Sequence, residues 1–275
     1  MVRNLRPLFT RMSKDLAIHA AENLSVQDQN QYRPKLEDII FNGMSDTAKV
    51  FTRNIRDDLN EGSSLWDASV SENVTADSDT LQDMADEIAA QASLFIADQT
   101  IAQATLILDT NYRQMRESLE EAVAELTQTK TRRFRIEKKA PIDAGLDFIS
   151  YADVAKKAAK IFKTKSRSRP DLIASQIVGM TESFSKQTEA EVLNENDVAI
   201  DGKPIQGKLQ KSWNAILDSR TREAHAEADA EYMANPIDID ENFIVDGEEL
   251  EYPRDPNGSP GNVINCRCAV MYVTD

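Results

Sequence analysis

The chain has no unbroken apolar span near the roughly 20 residues a transmembrane helix needs, so no membrane crossing is expected. Behind the basic start Met1-Val2-Arg3-Asn4-Leu5-Arg6-Pro7 there is no apolar h-region, so no signal peptide is expected either. Only two cysteines are present, Cys266 and Cys268, too few for a disulfide framework, and they point to folding in a reducing compartment. Histidine is equally scarce, limited to His19 and His225. Walker-type glycine loops, Gly-x-Ser-x-Gly and His-Glu-x-x-His are all missing, which removes the common nucleotide, esterase and zinc-peptidase signatures.

Breakers are missing from one stretch and crowded into another. No proline occurs between Pro34 and Pro141, and no glycine between Gly62 and Gly145. The last 75 of the 275 residues, by contrast, hold five of nine prolines and five of nine glycines. Since glycine and proline are the strongest local punctuation, the first part reads as long helices and the last as a turn-rich unit. The expectation is an α+β protein: a helical docking region over residues 1–165, then a small α+β module over 166–275.

Charge is absent in one sign over long runs. Residues 57–112 hold twelve acids and no lysine or arginine, and Glu227 to Glu251 hold ten acids and none. The formal net charge of -15 argues against a general nucleic-acid coat. Yet Lys130 to Arg169 carry 13 basic residues against four acids, an island of +9 that leaves -24 elsewhere. That island suits phosphate, an acidic partner, or the chain's own acidic regions.

Periodicity supports the helical reading. Phe41, Met44, Ala48, Phe51, Ile55 and Leu59 recur at steps of three and four, as one apolar helix stripe does. Asp79 with Gln82 gives a capping-box signal. The spacing from Leu81 through Met84/Ala85, Ile88, Ala92, Phe95, Ile101, Leu108, Tyr112, Met115, Leu119 and Val123 to Leu126 then predicts a helix to Thr127, about 73 Å long if unbroken. Such a length implies a bundle, a coiled coil or a docking arm. In the basic island, Thr131 to Lys139 alternates enough for a short strand or extended loop, carrying Arg132, Arg133 and Arg135. Tyr151 to Lys165 reads as a basic helix with Lys156, Lys157, Lys160 and Lys163 clustered. These seven are the candidates for contact with DNA or an acidic partner; Phe134 and Phe162 are too few for a base-stacking platform.

The residues with chemistry to offer lie at the other end. Pro170 is placed to open a helix through Ile173, Ile177 and Met180 to Leu193. Asp201-Gly202 and Gly207 make turns, and Leu209 to Leu217, centred on Trp213, alternates like a strand. Asp218 or Ser219 then caps a helix on which Asp218, Arg222, His225 and Asp229 share one face. Cys266, Cys268 and His225 supply three soft ligands, and a structural zinc would take its fourth from Asp229, Asp218 or water. Against zinc, Cys-x-Cys is tighter than the usual spacing, and alternate strand residues face opposite ways. The open alternatives are buried thiols beside an Asp218–Arg267–His225 network, and a strained Cys266–Cys268 disulfide. Nothing flanks either cysteine as a nucleophile motif. Glu249-Leu250-Glu251 forms the Glu-x-Glu of ADP-ribosyltransferases without their Ser-Thr-Ser strand.

As an ordered set, Trp213, Asp218-Ser219-Arg220-Thr221-Arg222-Glu223-Ala224-His225, Phe243, Asp246-Gly247, Tyr252-Pro253-Arg254-Asp255-Pro256 and Asn265-Cys266-Arg267-Cys268 closely resemble the phage Mu F-like head morphogenesis family of minor head or minor capsid proteins. Met180-Thr181-Glu182 resembles that family's Thr-Glu helix, so the resemblance spans roughly residues 170–275. It marks Trp213, Asp218, Arg222, Asn265 and Arg267 as structural motif residues. It implies a virion component made in the host cytoplasm, lying in the capsid interior near the portal in few copies. The implied role is head assembly and DNA packaging or delivery, with portal, capsid or scaffold proteins and packaged DNA as partners, no membrane, no catalytic residue and no required cofactor. Two other readings stay open: a DNA-binding accessory protein inside the capsid, and a metal-dependent hydrolase or toxin-like module.

Overall fold

The computed structural model describes residues 1–23, 29–61, 74–75, 78–137, 150–196, 198–200, 203–204 and 206–274, and within its helices and strands the side chains of residues 22–23, 51–61, 74–75, 78, 81, 130–137, 200, 203 and 274 stand outside the description. The elements are helices α1 (Val2–Asn23), α2 (Arg33–Glu61), α3 (Ser78–Glu137), α4 (Tyr151–Lys165), α5 (Arg169–Glu195), α6 (Glu223–Ala234) and α7 (Pro260–Val263). Strands are β1 (Val74–Thr75), β2 (Ala199–Ile200), β3 (Lys203–Pro204), β4 (Leu209–Asn214), β5 (Ile237–Asp238), β6 (Phe243–Val245), β7 (Glu248–Leu250) and β8 (Ala269–Thr274). Long helices followed by a module of small antiparallel sheets make the α+β class expected from the sequence. No described helix is long and apolar enough to cross a membrane.

Contacts divide the chain into two compact units, Met1–Ile40 with Gln99–Ala174, and Phe41–Asp98 with Ser175–Asp275. Neither is one continuous stretch, and the division expected at residue 165 falls inside the first. The periodic helix is one piece of 60 residues, longer than the capping signal and stripe alone required. Its stripe is not uniform. Met84, Ile88 and Ala92 are buried in the second unit, and Leu108, Met115 and Leu119 in the first, but Ile101 and Tyr112 are exposed. Their neighbours Ala104, Ile107 and Asn111 are buried instead, because a straight 3.6-residue helix drifts against a mixed three-and-four count. The same drift exposes Phe41 on α2 and buries Ile40.

In the first unit α1 packs along α4, with Ser13 donating to the Ala159 carbonyl at 3.1 Å. Helix α1 was not foreseen, although Leu5, Leu8, Met12, Leu16 and Ala20, all buried, carry the spacing that signals it. Its Pro7 lies past the first turn, so the helix gives up the backbone hydrogen bond that position 7 would make to the Arg3 carbonyl. The basic run Thr131–Lys139 is not extended: α3 continues through Glu137, so the alternation there reflects composition rather than a strand, and Lys138 and Lys139 lie outside the described residues. Helix α4 has the bounds read from the sequence, capped by Ser150, whose hydroxyl accepts from the Asp153 N–H at 3.0 Å.

The second unit holds the site. Its main sheet runs in the order β5-β4-β8, all antiparallel, with Trp213 opposite Val270 and Asn214 opposite Ala269. Helix α6 packs on β4 and β6. β6 and β7 form a hairpin closed by Asp246-Gly247, both at positive φ, as the tight mirror-image turn demands. β1, β2 and β3 form a separate short sheet. Trp213, Phe243, Val245, Leu250, Val270 and Tyr272 share one core with Met84, Ile88, Val192 and Leu193.

Candidate metal centre

Trp213 is the centre of the module's core. It is fully buried, and both His225 and Phe243 meet it edge-to-face, at ring separations of 5.5 and 5.4 Å. Such aromatic pairs contribute about 0.5–1.5 kcal/mol beyond burial and fix ring orientation. β4 delivers Trp213 from one side. α6 delivers His225 from its first turn, from which the imidazole enters the core at 2% exposure.

The helix begins at Glu223 with Arg222 as its N-cap, and no side chain caps it. Asp218 and Ser219 therefore do not cap it, and Asp218 lies in the preceding turn rather than on a helical face with Arg222, His225 and Asp229. Each of those residues is nevertheless engaged. Asp218 takes both terminal nitrogens of Arg267 at 2.5 and 2.8 Å, and the Arg220 N–H at 2.8 Å. The Arg267 guanidinium, with that N–H, holds the Asp218 carboxyl well below the usual range. Arg222 donates to the carbonyls of Asn262 and Ile264, fixing the turn that presents the cysteines. Asn265, at positive φ, makes the reversal directly before Cys266. Asp229, expected as a fourth metal ligand, instead accepts from the Ala215 N–H at 2.6 Å and ties α6 to the end of β4.

Both cysteines face the same histidine. They precede β8 rather than lying in it, so the strand rule that would send them to opposite faces does not apply. His225 Nδ1 is 3.3 Å from Cys268 Sγ and 3.7 Å from Cys266 Sγ, and all three residues are buried. Nε2 of His225 is buried without a hydrogen-bond partner, which leaves Nδ1 as the ring's polar outlet. The thiols are free, not bridged. Cys266 is lowered to about 4 by its hydrogen bond from Cys268 and a further one from His225, against the opposing effect of burial. Cys268 is raised by its hydrogen bond with Cys266 and by burial.

Arg254, marked in the sequence only as part of the family motif, and Gln187, not singled out there at all, complete the scaffold. Arg254, at positive φ, donates to the carbonyl of Cys266 at 2.6 Å and of Ser175 at 3.2 Å, passing over Gly179. A lone glycine inside the periodic run of α5 was the available signal of such a close approach. Gln187, buried on α5, accepts from the Tyr272 hydroxyl at 2.9 Å and donates to the Ile239 carbonyl at 3.0 Å. No sequence pattern marks it. In Met180-Thr181-Glu182, Thr181 is buried and bonds back to the Ile177 carbonyl, while Glu182 pairs with Lys186 at 3.0 Å.

The basic candidates belong to the first unit. Lys157 pairs with Glu125, and Lys165 with Glu121 at 2.5 Å, so part of the island neutralises the chain's own acids. Lys156, Lys160 and Lys163 are exposed and have no ion-pair partner among the described residues. Arg132, Arg133 and Arg135 lie on the last turns of α3, and their side chains fall outside the described residues.

The model of a family described as phage Mu protein F like protein matches residues 72–271. The minor head protein GP7 of Bacillus phage SPP1 is 29% identical over 126 residues, 46% of this chain and 36% of that protein. The chain thus spans little more than a third of the relative's length. No solved structure matches it.

Proposed function

The chain belongs to the phage Mu protein F-like family, and from that membership we propose that it is a minor head protein acting at the portal, where it aids head assembly and the packaging or delivery of DNA. The observation that carries this reading is the extent of the match: it covers most of the second unit, including Trp213, the Asp218–Arg267 pair, and the turn that joins Cys266 and Cys268 to His225. The name of the SPP1 relative, a minor head protein, supports it. Asp218, Arg222, Arg254 and Arg267 each bond another part of the module, which supports reading the motif as a scaffold. A structural component in the capsid interior, present in few copies, fits that better than an enzyme.

The exposed Lys156, Lys160 and Lys163 on α4 support a contact with packaged DNA or an acidic partner surface. The portal reading is tested by co-expressing the chain with the portal and capsid proteins of its phage and cross-linking the assembled heads. Cross-links to the portal and co-sedimentation with empty heads are expected. Protein that stays free while heads assemble normally without it sinks the proposal. Tight, salt-sensitive DNA binding without portal contact would favour the accessory DNA-binding reading.

A further inference from the structure

Nδ1 of His225 and the two sulfurs of Cys266 and Cys268 lie within 4.8 Å of one another in a buried cluster. Tetrahedral zinc with bonds of about 2.1 Å to nitrogen and 2.3 Å to sulfur separates the two donors by about 3.6 Å. The observed nitrogen-to-sulfur distances of 3.3 and 3.7 Å bracket that value. We infer that these three residues hold one zinc ion.

The donor set selects the metal. Two thiolates and an imidazole are soft to borderline ligands that suit zinc, whereas calcium and magnesium require oxygen. On binding, each thiol gives its proton to solvent and the two sulfurs bond the ion, so two negative charges balance two positive ones. A neutral centre is what a buried site tolerates; a lone thiolate there is costly. The scaffold around the ligands is already set. Arg254 holds the carbonyl of Cys266, Arg222 holds those of Asn262 and Ile264, and Trp213 fixes the imidazole plane.

Asp218 and Asp229 are committed to Arg267 and to the Ala215 N–H, so neither supplies the fourth ligand. A cavity of about 10 Å³ touches all three ligands and is also lined by Thr221 and Asn265. That is room for about one water beside the three ligands. The ion is therefore structural: it fastens the turn before β8 to α6. This inference does not depend on the portal reading.

The test uses the full chain purified without chelator or affinity metal, with zinc measured by mass spectrometry and thiols counted after unfolding. About one zinc per chain and two thiols are expected. Cobalt in place of zinc gives the intense visible bands of a tetrahedral ion and a thiolate charge-transfer band. Cys268→Ser loses those bands and at least about tenfold in affinity, while Asp229→Asn retains a full equivalent. Should Cys268→Ser fail to fold, chelator-stripped wild type serves: its melting temperature rises with added zinc and not with magnesium. Two thiols with no zinc and no thermal shift would overturn the inference in favour of a hydrogen-bonded thiol–imidazole cluster. A Cys266–Cys268 disulfide overturns it too, and zinc loss in Asp229→Asn overturns the water-completed site.

Discussion

The Arg254 guanidinium occupies the space any side chain at position 179 would need: a Cβ placed on Gly179 would fall 1.0 Å from a terminal nitrogen of Arg254. Through this contact the loop after β7 reaches α5, and the same guanidinium holds the carbonyl of Cys266.

Gly179→Ala is accordingly expected to destabilise the protein by about 1–3 kcal/mol, the usual cost of overpacking, because Arg254 must swing away and abandon two carbonyls. In an Arg254→Ala background the same change should be neutral or stabilising by up to about 1 kcal/mol, since alanine is the better helix former. A double-mutant cycle by urea unfolding measures the coupling; additive effects would mean that the contact carries no energy.

Asp218→Asn breaks the paired hydrogen bonds to Arg267. The wild-type carboxyl is held below its ordinary value, so its contribution is fully present above the unfolded value of about 4 and is lost as pH falls through the depressed one. The stability gap between wild type and variant should therefore be constant from neutrality to about pH 5 and close below it. The pair is partly exposed, and salt should narrow the gap at neutral pH. A gap that widens on acidification is incompatible with the pairing.

Glu251 has the opposite sign. Burial, with the nearby Glu191 carboxylate, pushes it up to about 7 against the pull of Lys211. An acid raised in the folded state binds its proton more readily there, so its ionisation erodes stability as pH climbs from about 4.5 through 7. Relative to Glu251→Gln, the wild type should lose ground between pH 5 and pH 8 in thermal melts. Parallel melting curves across that range would refute the assignment.

The three exposed lysines of α4 give a test by slope. If they meet DNA phosphates, replacing Lys156, Lys160 and Lys163 together with glutamine should lower the slope of log affinity against log salt by about 3. Lys157→Gln should change it little, because that lysine is committed to Glu125. Unchanged salt dependence in the triple variant removes α4 from any DNA interface.

Much of the fold was legible because its signals are local. The breaker-free run with its periodic apolar residues announced α3, and Tyr151 to Lys165 announced α4 to the residue. The strand around Trp213 was equally plain. Helix α1 carried a readable stripe that its basic character obscured. What stayed hidden depends on distant parts of the chain. That Asp229 serves a strand end, and that Gln187 links α5 to β8, are products of tertiary packing. The convergence of His225 with both thiols could be posed from the sequence but not decided, because whether Cys266 and Cys268 face alike turns on where β8 begins. The run through Arg135 misled for a related reason: alternation over nine residues cannot outweigh a helix already 50 residues long.

β4 takes most of its pairing from β8, with Leu209 opposite Thr274 and Asn214 opposite Ala269, while its other flank pairs only at Gln210 and Lys211 with β5. During synthesis the flank that faces β8 emerges long before its partner. The β6–β7 hairpin and α6 can form from local contacts as they appear, but the strand carrying Trp213 must wait with its backbone groups unpaired. A ribosome stalled ahead of Ala269 would thus hold an adhesive edge rather than a finished domain.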